Sequence, residues 1–205
     1  MLYETKIVKN RNNKSYKIFN EAITHNFLEI PEMLSSSYVK YCWSKYLDYR
    51  NDNPQDNSMN GNIFELIIES ELYRKSILPM FLQAKVAFVP NVNFDILLYS
   101  TDSFPIGLSL KTSLRERYKQ ADLEAIALKY VHRRAQNYLI TLKSQETNSV
   151  KGKLIKGELL GINQVIAADS EEFDNLLSVL YNMEFVNPGK VDIITAANIV
   201  NVKED

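Results

Sequence analysis

IGLSLKTSLRERYKQADLEA, residues 106–125, changes its period halfway along. Ile106, Leu108 and Leu110 alternate with Gly107, Ser109 and Lys111, the period of two expected of a strand with one buried face. From Leu114 onward the spacing is helical, and Arg117, Ala121, Glu124, Leu128 and Val131 fall on one stripe. A strand that runs directly into a helix implies a sheet covered by helices. Just upstream, VNFDILLY (92–99) alternates as well, with Val92, Phe94, Ile96 and Leu98 on one face and Asp95 on the other. The polar TDSFP (101–105) joins the two runs as a hairpin, which would put Asp95 and Lys111 on one side of the sheet.

The remaining elements follow from the same periodicities. NDNPQDNSMNG (51–61) reads as a loop, and NIFELIIESELYRKSIL (62–78) as a helix ending before Pro79. KVAFV (85–89) reads as a strand, and Ser113 and Glu116 have the spacing of a capping box that opens a helix over 114–134. QNYLITLK (136–143) is expected as a strand, 143–153 as a polar loop and NQVIAA (163–168) as a strand. Asp169 or Ser170 would cap a helix over 171–184, and VDIITAANIV (191–200) reads as a final strand. The expected class is α/β (α+β), a central mixed β-sheet flanked by helices. One domain is expected over 1–205, with residues 1–58 as an N-terminal extension and 60–205 as the core.

Composition narrows the function. With 45% hydrophobic and 24% charged residues among 205, the chain has the make-up of an ordinary globular protein rather than a disordered one. No apolar run reaches the ~18 residues of a membrane span, and the first 18 residues lack an apolar core for a signal peptide, so a cytoplasmic protein is expected. The single cysteine, Cys42, excludes an intrachain disulfide, and with only His25 and His132 a Cys/His zinc site is disfavoured. A metal would therefore have oxygen ligands, which suits Mg²⁺. The net charge is −1, but its distribution is uneven. Lys111, Arg115, Arg117, Lys119, Lys129, Arg133 and Arg134 outweigh Glu116, Asp122 and Glu124, and the first 18 residues are equally basic. Such asymmetry fits a polyanion-binding face or, cluster by cluster, a solvated surface.

Two constellations carry chemistry. Asp95 and Lys111 on one face of a sheet supply a metal ligand and a cation able to orient a water, both useful in phosphodiester hydrolysis. A second carboxylate is needed, and Glu124 lies beside the buried face of its helix with no basic residue three or four positions away. An ordinary rim glutamate is the alternative. Glu65 is a weaker candidate, with like-charged Glu69 one turn on. The second constellation is Arg115-Glu116-Arg117. Two arginines in a first helical turn oppose the helix dipole at ~0.3–1 kcal/mol each, unless an anion or base edge approaches. Arginine pairs bidentately with guanine and a carboxylate accepts from cytosine N4, so the triplet suits G·C readout; an exposed turn whose charges pair with one another is the alternative.

Asp95, Ser109-Leu110-Lys111, Arg115-Glu116-Arg117 and Glu124 together resemble the PD-(D/E)XK nucleases, and more narrowly the type II restriction endonucleases of the EcoRII/PspGI/NgoMIV group. In that group a small residue replaces the acid two positions before the lysine, and a glutamate on the following helix takes its role. Ser109 and Glu124, the latter 13 residues after Lys111, match this pattern. A K-x3-R-(D/E)-R motif for base readout is matched by Lys111, Arg115, Glu116 and Arg117, and Glu65 stands 30 residues before Asp95, where these nucleases carry a helix glutamate. The likeness covers about residues 60–143.

The resemblance implies a restriction endonuclease-like core and a Mg²⁺-dependent, homodimeric enzyme that cuts double-stranded DNA at a short palindrome containing CC/GG. Asp95 and Glu124 would hold the metal, Lys111 would orient or activate the water, and Glu65 would assist. The single Trp43 is a possible stacking partner for a DNA base, or a core tryptophan. A cognate DNA methyltransferase would be the system partner, in a prokaryotic cytoplasm. The rival readings are a repair or junction-resolving nuclease of the same superfamily, and a non-catalytic sequence-specific DNA-binding protein.

Overall fold

The computed structural model describes residues 1–102, 104–142 and 144–189. Three antiparallel strands, β1 (Met80–Ala84), β2 (Phe94–Tyr99) and β3 (Pro105–Lys111), continue into two parallel ones, β4 (Gln136–Thr141) and β5 (Gln164–Ala167). Their order in the sheet is β1-β2-β3-β4-β5. The β2–β3 hairpin expected from the alternation is present, with Ile96 opposite Leu108 and Leu98 opposite Ile106.

Alternation along the strands sorts side chains between two helical layers. Ile96, Leu98, Ile106, Leu108, Leu110, Ile140 and Ile166 face the larger core. This core is covered by α1 (Lys14–Ala22), α2 (Ser35–Asp52), α3 (Asn57–Arg74) and α6 (Glu171–Tyr181). Leu139 and Val165 face the other way, against Tyr118, Ala121 and Ala125 of α4 (Arg117–Val131) and Val150 of α5 (Ser144–Ile155). Leu139 is fully buried, and Leu139→Ala in such a setting costs about 2–5 kcal/mol.

Several local expectations are corrected. The loop at 51–61 shrinks to residues 53–56, because α2 runs to Asp52 and Asp56 caps α3 by accepting from the Met59 amide at 2.8 Å. A stretch rich in Asn, Asp and Ser supplied a cap and a first turn as well as a loop. The helix ends at Arg74, short of 78. KVAFV is not a strand: Met80–Ala84 pairs with β2 instead, while Val86 and Val89 seal a small cluster with Leu97 and Leu128. Val92 and Phe94 join that cluster rather than the face of Ile96 and Leu98.

The polar loop expected over 143–153 is instead helical from Ser144, where α5 begins. Its few apolar residues sit where Thr147 and Val150 are buried, so packing overrides weak helix propensity. Helix α6 ends at Tyr181; the Ser170 hydroxyl donates to the Ala167 carbonyl instead of capping, and Glu171, Glu172 and Asp174 complement the dipole. The strand expected at 191–200 lies outside the described residues.

A buried ionic network ties residues 27–35 to α3. The Arg74 guanidinium donates to the carbonyls of Phe27 and Ile30 and pairs with Glu71 at 3.1 Å, while the Ser35 hydroxyl donates to Glu71 at 2.7 Å. This fixes the start of α2 relative to α3, and so the wall that α2 gives to the cleft described next.

Candidate active site and nucleic-acid interface

The hairpin register places Asp95 beside Ser109 and on the same face as Lys111. Lys111 Nζ lies 2.8 Å from Asp95 Oδ2, and the amide of Leu110 donates to that oxygen at 2.7 Å. The two side chains are 14% and 13% exposed, enough burial to make the pairing matter and enough opening for a ligand. From the other layer, Glu124 on α4 reaches the same crevice, whose walls include Asp95, Ser109, Gly107 and Asn137. Gln120, one turn earlier, donates to Glu124 Oε1 at 2.8 Å and orients the carboxylate. Residues separated by 29 positions are thus brought to one place by a strand pair and the helix that follows it.

Glu65 enters from α3 on the opposite side of Asp95. It shares with Asp95 and Glu69 a cavity of about 500 Å³ that Lys9, Asn10, Asn13 and Ser15 close from the N-terminal segment. Gln83 on β1 donates to Glu65 at 3.1 Å and is itself held by Asn93 at 2.6 Å. Burial, then the charge of Asp95, pushes the Glu65 carboxyl up to about 7, against the opposing pull of Lys111 and Gln83. Glu69 is 4% exposed, and burial, followed by Glu65 and Asp95, raises its carboxyl well above the usual range. The sequence showed Glu69 only as a like-charged neighbour of Glu65; an acid beside Ile67, Ile68 and Leu72 in an apolar run was the signal that it is buried.

The donors available near Asp95 and Glu124 are oxygens, which suits a hard cation such as Mg²⁺. Among the described residues no three Asp, Glu, His or Cys side chains form a ready-made cage. Two carboxylates lining one narrow crevice fit the way Mg²⁺ is commonly held, its remaining ligands being water and phosphate oxygens, so the residues present fit the ion.

Arg115, Glu116 and Arg117 are all exposed, but not as a capping box would place them. The helix begins at Arg117, Glu116 sits at its N-cap without a side-chain capping bond, and Ser113 lies outside it. The fully buried Leu114 anchors a turn instead, and Glu146 of α5 accepts from the amides of Leu114 and Arg115, the latter at 3.4 Å. Arg115 adopts φ 28°, a strained conformation for a residue with a side chain. A carboxylate remote in sequence therefore supplies the cap. Glu116 pairs with Lys119, and among the described residues neither Arg115 nor Arg117 has an acidic partner.

These residues form one wall of a cleft of about 620 Å³, with Trp43, Leu47 and Arg50 of α2 and Asn57 and Asn60 of α3 opposite. Trp43 is half-buried, with its ring 5.1 Å from Tyr46 and 6.3 Å from Phe64, so it packs on the core while bordering the cleft. The buried Tyr46 hydroxyl donates to Asn60 Oδ1 at 2.8 Å, leaving the Asn60 amide group as a donor. The arrangement can do two things: hold a cation and water beside Asp95, and offer arginine donors to an acceptor-rich ligand.

No family model matches the chain, and no curated protein matches its sequence. Solved structures do. A complex of the restriction endonuclease PspGI with substrate DNA superposes with a TM-score of 0.54 at 14% identity, covering 76% of this chain and 77% of that one. Metal-depleted Ecl18kI with uncleaved, modified DNA gives a TM-score of 0.36 at 18% identity, covering 87% of this chain and 65% of that one. The first of these likenesses identifies the fold as that of a restriction endonuclease, a five-stranded mixed sheet between helical layers.

Proposed function

We propose that this chain is a Mg²⁺-dependent type II restriction endonuclease that cuts double-stranded DNA at a short palindrome containing CC/GG. The observation that carries the reading is that Asp95, ion-paired with Lys111, shares one crevice with Glu124 while an arginine-lined cleft opens from the residues that follow Lys111. That combination sits on a restriction endonuclease fold.

Asp95 and Glu124 would hold the ion, which when bound supplies Lewis-acid stabilisation of the charge that builds on the scissile phosphate. Lys111, already 2.8 Å from Asp95, donates from Nζ to the attacking water or to a phosphate oxygen and keeps it in line. Glu65, half-protonated near neutral pH, takes up or gives back a proton beside Asp95. Arg115 and Arg117 donate to guanine O6 and N7, while Glu116, released from Lys119, accepts from cytosine N4. Trp43 offers an apolar border to a base entering the cleft.

One active site per chain and a two-fold symmetric site call for a homodimer, so a second copy and duplex DNA are the partners. The whole chain acts as one nuclease domain, with residues 1–58 contacting DNA or the partner copy and 60–205 carrying catalysis. A cognate DNA methyltransferase would protect the host in a prokaryotic cytoplasm. Sequencing of the ends made by Mg²⁺-dependent digestion of a long DNA tests the proposal: ends sharing one motif support it, whereas metal-independent binding without cleavage overturns it.

A further inference from the structure

We infer that Asn137 is a positioning residue for the metal-binding carboxylate Glu124, an inference that rests on the function proposed above. Asn137 is 5% exposed on β4 and lines the crevice that holds Asp95, Ser109 and Glu124. Its backbone is fixed from outside the sheet: the amide donates to Asn163 Oδ1 at 2.9 Å, and the Asn163 amide donates back to its carbonyl at 2.8 Å. The side chain therefore has a set direction.

Its cross-strand neighbour in the parallel register is Gly107. A Cβ built on Gly107 would stand 2.8 Å from Asn137 Oδ1, so the carboxamide lies across Gly107 in space that any larger residue would fill. Yet Asn137 Nδ2 is buried without a hydrogen-bond partner among the described residues. A buried amide donor with no partner is costly in a core, and leucine has nearly the same shape without that cost. Asn137 lines the crevice where two carboxylates, Asp95 and Glu124, stand, so the nearest function for its donor lies there. Gln120 occupies Glu124 Oε1, which leaves Oε2 to accept. Asn137 Nδ2 then fixes the plane of the Glu124 carboxylate when the cation is bound, as outer hydrogen-bond partners do for metal ligands.

The test measures Mn²⁺ binding directly, by the electron paramagnetic resonance signal of free Mn²⁺, to the protein saturated with its own cleaved product duplex. Asn137→Leu is expected to weaken Mn²⁺ binding about tenfold while Tm stays equal or rises. A purely structural asparagine would lower Tm and leave Mn²⁺ binding alone. Gly107→Ala, which displaces the carboxamide without altering it, should weaken binding in the same way, and Asn137→Ser, which restores a donor, should recover part of it. If Asn137→Leu fails to fold, Gly107→Ala decides. Mn²⁺ binding within threefold of wild type in both folded variants overturns the inference. Failure of the wild-type protein to bind Mn²⁺, or binding unaltered by Glu124→Gln, overturns the metal site itself.

Discussion

Asp95 Oδ2 accepts two hydrogen bonds at once, from Lys111 Nζ at 2.8 Å and from the Leu110 amide at 2.7 Å. That oxygen is committed to the hairpin, and the other is left for a ligand in the crevice shared with Glu124. Lys111→Ala is expected to abolish cleavage while site-specific DNA binding, measured by gel shift, stays within a few-fold of wild type. It would also leave Asp95 with half its partners, at a cost of about 1–3 kcal/mol in urea unfolding. Cleavage that persists would remove Lys111 from the chemistry.

The Arg115 and Arg117 guanidiniums on the cleft wall, without acidic partners among the described residues, give the readout prediction. Arg115→Ala or Arg117→Ala should each cost about 1–3 kcal/mol of binding to the cognate site and relax the preference for G at one position. A loss of equal size on cognate and random duplexes would make them phosphate contacts instead.

Glu65 gives a pH prediction of definite sign. Its carboxyl lies at about 7 in the folded chain against 4.5 in the reference state, so folding takes up a proton between those values. The contribution to stability is fully present below about pH 4.5 and is lost as pH rises through about 7, roughly 3 kcal/mol over the whole range. Glu69 acts in the same direction. In chelator, Tm should fall between pH 5.5 and 8.5, and Glu65→Gln should flatten that slope. Parallel curves for the two proteins would show that Glu65 titrates normally.

Glu146 caps the strained turn that presents Arg115. Glu146→Ala should lower stability by about 1.5–3 kcal/mol, as for loss of charge-assisted hydrogen bonds. It should also weaken cognate binding although Glu146 does not line the cleft. An unchanged cognate affinity would mean that the turn holds its shape without this carboxylate.

The β2–β3 hairpin and the Asp95–Lys111 neighbourhood were legible because alternation over 95–98 and 106–111 marks both strands and their faces, although it misplaced Val92 and Phe94. Position 13 after Lys111 could be read onto α4 because a helix period follows directly. What was not legible depended on contacts remote in sequence. The cap on Leu114 comes from Glu146, 32 residues away, so a local Ser113/Glu116 pattern gave the wrong cap. Helix α5 is polar by composition and is made a helix by packing against β5. KVAFV has strand-like residues, yet β2 already pairs with Met80–Ala84. Asn137 carries no motif, and Glu69 only the hint of an acid set in an apolar run; that both are buried polar groups at the site depends on the packing of the layers around the sheet.

The most direct test of the central claim is digestion of a long DNA of known sequence by the wild-type protein with Mg²⁺, with sequencing of every end and Lys111→Ala run in parallel. The account predicts ends at one short palindrome containing CC/GG, lost in chelator and lost in the variant. Intact DNA with bound wild-type protein, or cuts confined to branched or damaged sites, would contradict it.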